Sequence, residues 1–484
     1  MENENYIYRY RSLANNYAFD ELENDYFYCS ELSKLNDPVE NKFNLIFEGD
    51  EIDFRGLLKY YIFCLMETFV TIKVATDDDN EEIGFGLIKK IENGDRLFYG
   101  FQDIPLHKET FPEIVDIIFN KKKYNELAKK IAQISKDKPL NLNSVLLLFK
   151  IINIECLFCI MYIFENKGFG VFKPGFIDSE ECNRRLNSKI DFSQIYLIFE
   201  NLPKIENSDE FNIVIQSFLF DKIGNLLFSN ENNKTIRLKN DILFSKFPEI
   251  FFNNLYKKCL GEKYVCCFSE DCESQLMWSH YANSDTGICF KYKVEKKDNY
   301  YNFPQCEVII GGGCTKQQNG DFIEHYVKER RNIIINKIEY VDKLQEIDFF
   351  ANIGAMSRHD VTQFFYDAKQ NKYGEKVGMY SDENIKKYWD IADIVALKKL
   401  KEWAYEKEYR FLQHWQFLID NKVYYDFSQL EGIILGEGIS LENKCKIISI
   451  IKEKCKKQNR NEFDIYQRKW SFDENKMITV KIPI

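Results

Sequence analysis

Three short runs of this chain concentrate side chains that do chemistry. The first, Tyr8-Arg9-Tyr10-Arg11, sets guanidinium groups between phenol rings. Arginine grips a phosphate or carboxylate through two parallel hydrogen bonds, and flanking rings wall a nucleotide. Pairing of Arg9 with a structural carboxylate such as Asp37 fits the same residues. The second run gathers Cys267-Phe268-Ser269, Met277-Trp278-Ser279-His280-Tyr281 and Gly287-Ile288-Cys289-Phe290. On a short helix, Trp278, His280 and Tyr281 place an imidazole and flat ring faces around one pocket, where stacking and hydrogen bonding hold a base or nicotinamide. Equally, Trp278 and Tyr281 are core and His280 bonds a backbone carbonyl. The third run is Trp403-Ala404-Tyr405-Glu406-Lys407-Glu408-Tyr409-Arg410. Read as a strand, it turns Trp403, Tyr405 and Tyr409 one way and Glu406, Glu408 and Arg410 the other. Two carboxylates on one face repel, which raises one pKa, while Arg410 keeps the other ionised; that split suits acid-base or cation-stabilising work.

The elements that must position these runs differ along the chain. Residues 6–10 and 26–29 alternate as strands around an acidic helix at 18–24, and Asn36-Asp37-Pro38 is a turn. Residues 51–255 read mostly as helices, whereas β-prone runs follow at 264–268, 287–292, 306–310, 338–341, 403–412 and 432–435. A helix at 441–456 and strands near 463–467 and 477–482 close the chain. Strand-rich ends around a helical middle predict an α+β fold: a mixed or antiparallel strand-rich core from residues 1–50 and 256–484, carrying a helical insertion over 51–255. Gly311-Gly312-Gly313 lacks the Lys-Ser or Lys-Thr of a phosphate loop and reads as a flexible loop.

Composition narrows the function classes. Lys and Arg number 66 against 76 Asp and Glu, a net charge of −10, which argues against a generally basic nucleic-acid coat or a polybasic membrane patch. Residues 56–71 and 145–164 are apolar enough to suggest membrane helices, but charges interrupt both. Lys150 and Glu155 would each cost about 2.5–3.5 kcal/mol at a bilayer centre, so a buried core helix is expected and no membrane partner. The 14 Cys lie largely in apolar runs and the opening MENENYIYRY is no signal peptide, so reduced thiols in a cytoplasmic protein are expected. Cys156-x-x-Cys159 sits inside an apolar run, and Cys266, Cys267 and Cys272 lack a regular ligand pair, so no metal is expected. Abundant Phe (41) and Tyr (29) beside scarce Pro (9) match an AT-rich bacterial or phage genome.

Taken together and in this order, the runs resemble the bacterial family known as domain of unknown function 2971. Tyr8-Arg9-Tyr10, Asn36-Asp37-Pro38, Cys267-Phe268-Ser269, Met277-Trp278-Ser279-His280-Tyr281 with Gly287, and the late Lys399, Trp403, Glu406, Glu408, Arg410 pattern carry the resemblance, over residues 1–50 and about 258–484. The helical stretch between is longer than that family's pattern. The order of an opening-strand Arg, a middle Ser with aromatics and a late Glu-x-Glu also resembles ADP-ribosyltransferase-like folds. That resemblance implies NAD as substrate, with Glu408, Glu406 and His280 catalytic and Arg9, Tyr8, Tyr10, Ser269, Trp278, Tyr281 and Arg410 binding the nucleotide. In such folds a Glu stabilises the oxocarbenium ion as nicotinamide leaves, chemistry that needs a nearby negative charge rather than a metal. The implied activity is ADP-ribosyl transfer to a protein or nucleic-acid acceptor, or NAD hydrolysis, by a toxin or phage-defence effector. Two other classes stay open: a nuclease using His280, Glu406 and Glu408, and a non-catalytic nucleotide-sensing module.

Overall fold

The computed structural model describes residues 5–37, 39–40, 42–77, 86, 88–91, 114, 117, 119, 123–167, 238, 241–261, 263–316, 322–354, 356–414 and 421–483. The chain divides into two compact units: Met1–Lys42, Glu262–Leu344 and Asp393–Ile484 form the first, and Phe43–Gly261 with Gln345–Ala392 the second.

The first unit is built on one large sheet. Its strands are β1 (Asn5–Arg11), β2 (Tyr26–Tyr28), β3 (Ser30–Glu31), β4 (Lys263–Ser269), β5 (Ile288–Lys296), β6 (Tyr300–Lys316) and β7 (Phe322–Lys337). A small parallel pair follows, β8 (Glu339–Val341) with β9 (Lys398–Leu400). The sheet continues with β10 (Glu408–His414), β11 (Lys422–Tyr424), β12 (Leu430–Leu435), β13 (Asp464–Ser471) and β14 (Lys476–Ile482). The order is β14-β13-β12-β5-β1-β4-β10-β7-β6-β11-β2, with β3 also on β4. Neighbours run antiparallel except β12 and β13, so the sheet is mixed. Pairing of β5 with β6 through Glu295–Asn302 and Lys296–Tyr301 closes six strands into a barrel-like ring.

Period-two alternation decides what the sheet encloses. Ile7, Cys266, Phe268, Phe290, Phe303, Ile335, Tyr409 and Phe411 all enter one buried core, where each large apolar side chain contributes about 1.5–3 kcal/mol. Tyr8 and Tyr10 leave β1 on the other face, against Trp278, Cys289 and Ile434. Three helices accompany the strands: α1 (Tyr17–Asn24), α2 (Gln275–Tyr281) and α3 (Leu441–Gln458). The Ser274 hydroxyl accepts from the Met277 N–H and Ser440 from Asn443, each satisfying a donor that a helix start leaves open.

Two expectations are corrected here. Gly311-Gly312-Gly313 is part of β6, paired with Val327, Tyr326 and His325 of β7, rather than a loop. Residues 403–412 are not one strand: Lys401–Glu406 is a 3-10 turn, Lys407 is left-handed (φ 44°), and β10 begins at Glu408. One left-handed residue resets the alternation, so Tyr409 enters the core while Trp403 and Tyr405 do not share its face.

The second unit is mainly helical, with helices Glu51–Asp77, Lys123–Asp137, Leu142–Asn166, Phe247–Lys258 and Arg358–Phe365. A three-stranded sheet joins Asn44–Phe47 to Glu346–Asp348 and Leu140–Asn141. Leu142–Asn166 is long and apolar enough to cross a membrane, but 83% of its most apolar window is buried inside the protein. Cys156 and Cys159 are buried on it, and Lys150 pairs with Glu249 at 2.5 Å. Much of 78–122 and 168–240, within the stretch expected to be helical, lies outside the described residues.

Candidate functional site

The register of three neighbouring strands sets the site. Tyr8 of β1 pairs with Ser269 of β4, and Ser269 pairs with Glu408 of β10, so the three side chains stand in one row on the face away from the core. β1 and β4 pair at this one step and then separate, because β3 takes over the edge of β4 at Val265 and Tyr264. A pocket of about 230 Å³ opens there, bordered by Tyr8, Arg11, Tyr28, Lys34, Cys267, Ser269, Tyr281, Lys399, Glu406 and Glu408.

Its floor is a buried charge cluster. Lys399 Nζ lies 2.6 Å from Glu406, 3.3 Å from Glu408 and 3.7 Å from Glu40. Arg410 donates to both Glu408 oxygens, from Nε at 2.7 Å and the guanidinium end at 3.0 Å, and to both Glu40 oxygens at 2.7 and 2.9 Å. The Tyr281 hydroxyl donates to the remaining Glu406 oxygen. The strand β9, the 3-10 turn and the left-handed Lys407 fold the chain back on itself, which brings Lys399, Glu406 and Glu408 together over nine residues. Ser269 Oγ fixes this turn by donating to the Glu406 carbonyl at 2.7 Å.

The two carboxylates are electrostatically unlike. Burial and the neighbouring Glu408 charge push Glu406 above the usual carboxylate range, against the pull of Lys399 and Tyr281. Burial would raise Glu408 as well, but Arg410 and Lys399 hold it down to about 2. Lys399 is desolvated, yet Glu408 and Glu406 keep it charged. The Cys267 thiol at the same wall is pushed up by burial and by Glu408, and stays protonated.

The residues singled out from sequence divide into two sets. Tyr8, Ser269, Tyr281, Glu406 and Glu408 meet at the pocket. Arg410 is fully buried beneath it, occupied by Glu40, Glu408 and the Ala396 carbonyl rather than open to a ligand. Arg9 borders the pocket, but its side chain leaves β1 on the face opposite Glu408, which corrects the expected convergence. The Arg9 guanidinium meets Glu21 of α1, the Tyr28 and Cys267 carbonyls and the Cys266 sulfur, and packs over Phe268. Its partner is Glu21, not Asp37, whose side chain instead accepts from the Val39 N–H. Tyr10 also borders the pocket, but its hydroxyl donates to the Asp271 carbonyl and its ring meets Trp278 edge-on at 5.2 Å. Trp278 is core, donating to the Cys272 carbonyl, with Arg468 stacked 4.6 Å from its ring. His280 is exposed at the end of α2, 6.2 Å from the Tyr405 ring, and does not border the pocket.

After α2 the chain makes a costly turn: Asn283, Ser284 and Asp285 are all left-handed, at roughly 1–2 kcal/mol per residue for an ordinary side chain. The turn is held by Gly287, where a Cβ would lie 2.3 Å from the Arg11 carbonyl, so no larger residue lets β5 approach β1 this closely. Glu40 is the site residue that sequence reasoning missed. Its only signal is a carboxylate two places after Asn36-Asp37-Pro38.

No family model, curated protein or solved structure matches this chain. Among the described residues, no group of three or more His, Cys, Asp or Glu is placed to hold a metal ion.

Proposed function

We propose that this chain cleaves the N-glycosidic bond of NAD, as an ADP-ribosyltransferase or NAD glycohydrolase, and that it belongs with the domain of unknown function 2971 family, acting in the cytoplasm as a toxin or phage-defence effector. The observation that carries this reading is the charge balance of the pocket floor. Among the described residues, Glu40, Glu406 and Glu408 form ion pairs with Lys399 and Arg410, three carboxylates to two cations, so with these five groups ionised the floor itself carries one negative charge in excess. A pyridinium nucleotide brings a positive ring, and its glycosidic carbon gains positive charge as the bond breaks; fixed negative charge stabilises that transition state.

The two carboxylates then take different roles. Glu408, ionised throughout the physiological range, is the fixed charge. Glu406, with its raised pKa, is the proton acceptor. The C1′–N bond breaks with its electron pair going to the nicotinamide nitrogen, the acceptor oxygen bonds to C1′, and the acceptor's proton passes to Glu406. The rings of Tyr8 and Tyr281 supply stacking faces, and Lys34 stands exposed on the same wall, while Arg11, which also borders the pocket, is held by Glu21. At about 230 Å³ the cavity is smaller than the roughly 300–1,000 Å³ of drug-sized sites, which suits one end of a dinucleotide.

The test is product analysis by mass spectrometry after incubation with NAD, and separately with RNA and DNA with and without chelator. Release of nicotinamide, retained in chelator and lost in Glu408→Gln, is the expected result. Nucleic-acid cleavage that needs Mg²⁺ or Mn²⁺, with NAD intact, would replace this reading by a nuclease; tight nucleotide binding without turnover would make the chain a sensor.

A further inference from the structure

Arg468 of β13 is a buried cation, 2% exposed, that neither borders the pocket nor enters the chemistry above. Its contacts span the segment that carries Tyr281. One terminal nitrogen, Nη2, donates to Gln275 Oε1 at 2.8 Å, at the first residue of α2, and lies 3.6 Å from the Asp285 carboxylate in the turn past its end. Between these two, the guanidinium stacks 4.6 Å from the Trp278 ring. A flat cation with several donors holds all three at once, which a lysine cannot. Among the described residues Nη1 has no hydrogen-bond partner, so the polar grip of Arg468 is on α2 and its turn.

That grip matters because α2 cannot place itself. It has seven residues, of which Met277 and Trp278 are the buried ones, and a helix this short is marginal without tertiary contacts. The left-handed turn after it is held from a second side: the Gly438 N–H donates to the Asp285 carbonyl at 2.9 Å and the Glu437 N–H to its carboxylate at 3.2 Å. At Gly436 a Cβ would lie 2.2 Å from the same carbonyl oxygen, so only glycine lets the chain after β12 come this close. With its first residue and its following turn both fixed, α2 carries its last residue, Tyr281, to Glu406.

We propose that Arg468 is a positioning residue for Glu406: by clamping α2 from Gln275 to Asp285 it holds the Tyr281 hydroxyl on the Glu406 carboxylate. Glu406 faces Tyr281 from α2, Lys399 from β9, Tyr405 beside it, Glu408 from β10 and Tyr340 from β8. Burial and Glu408 favour its protonated form, whereas Lys399 and Tyr281 favour the ionised one. Releasing Tyr281 therefore leaves Lys399 as the main group opposing protonation. That Glu406 accepts a proton in turnover rests on the NAD reading; that Arg468 acts on it through Tyr281 does not.

Carbon-13 NMR titration of the Glu406 carboxyl tests it, on the full chain without NAD, the signal being assigned by its absence from Glu406→Gln. Arg468→Met and Tyr281→Phe should each tighten proton binding at Glu406 on the order of tenfold, and the double variant no more than Tyr281→Phe alone, since both act through one hydrogen bond. Arg468→Lys should behave as Arg468→Met, because it keeps the charge and loses the flat fork. Gln275→Ala, at an exposed position, should shift the titration the same way by less, and carries the test where the Arg468 variants do not fold. An unchanged titration in the folded Arg468 variants or in Gln275→Ala, or shifts that add in the double variant, would overturn the proposal. Expected shifts in a parent that releases no nicotinamide from NAD would sustain it and refute the NAD reading instead; with turnover, the acid limb of the rate should move to higher pH in step with the titration.

Discussion

Two buried clusters of arginine and carboxylate lie within two strands of each other and do different jobs. On the core face, Arg9 and Arg11 share the single carboxylate Glu21, and Arg9 is further capped by the Tyr28 and Cys267 carbonyls and the Cys266 sulfur. On the other face, Lys399 and Arg410 serve three carboxylates beside a cavity. The first cluster, two cations on one carboxylate, ties β1 to its neighbours, whereas the second, three carboxylates on two cations, leaves its excess of negative charge beside a cavity. Burial alone does not separate the two, since Arg9 and Arg410 are both buried.

The sharpest way to probe that contrast is to remove the cations. Arg410→Met leaves Glu40 and Glu408 without their main partner and should cost about 3–5 kcal/mol of stability in urea unfolding. Arg9→Met should cost less, about 1–3 kcal/mol, because Arg11 still holds Glu21. Equal losses would erase the distinction between the clusters.

Turnover separates them next. Under the NAD reading, Glu408→Gln should lower the rate of nicotinamide release about 100-fold to 1000-fold with the fold and nucleotide affinity kept. Glu21→Gln, measured in the same assay on folded protein, should leave the rate within about twofold of the parent, since its charge lies on the core face. A wild-type rate in Glu408→Gln would remove that residue from the reaction.

Stability against pH gives a subtler test, with opposite signs for the two pocket carboxylates. Glu408 is depressed to about 2 in the folded chain, so its contribution is present above the ordinary carboxylate range and is lost as pH falls toward about 2. Glu406 is raised, so its contribution is present below the ordinary carboxylate pKa and is lost as pH rises through its folded value. Urea unfolding from pH 4 to 8 should therefore show wild type losing stability relative to Glu406→Gln as pH rises. The smallest effect expected is at His280: His280→Ala, at an exposed position, should change stability by less than about 0.5 kcal/mol.

Sequence reading reached the pocket by residue type and missed its wiring. The alternation of Ile7, Tyr8, Arg9 and Tyr10 was legible as a strand, as were the buried runs of β4, β5 and β12, and the described parts of the middle, Glu51–Asp77, Lys123–Asp137, Leu142–Asn166 and Phe247–Lys258, are the helices expected there. The unlike carboxylates were also anticipated, but for another reason: Glu406 and Glu408 meet through a 3-10 turn and a left-handed lysine, not as neighbours on a strand face. Nothing in Tyr-Glu-Lys-Glu-Tyr-Arg marks Lys407 as left-handed, and the contacts that hold the preceding Glu406, from Lys399 and Ser269, come from outside this run. The facing of Arg9 depended on knowing that Tyr8 is the residue in register with Ser269. Glu40 was illegible because its partner lies 370 positions away.

The central place of β1 has a consequence for the chain as it is made. The N-terminal strand lies between β4 and β5, neither of which exists until more than 250 further residues have left the ribosome. Translation at roughly 5–20 residues per second puts about 20–80 s between the emergence of Arg11 and that of Arg410. Through that interval the first strand has no sheet to enter and the pocket has no floor. Every nascent or prematurely terminated chain ending before Glu406 therefore lacks both carboxylates of the pocket's acid pair.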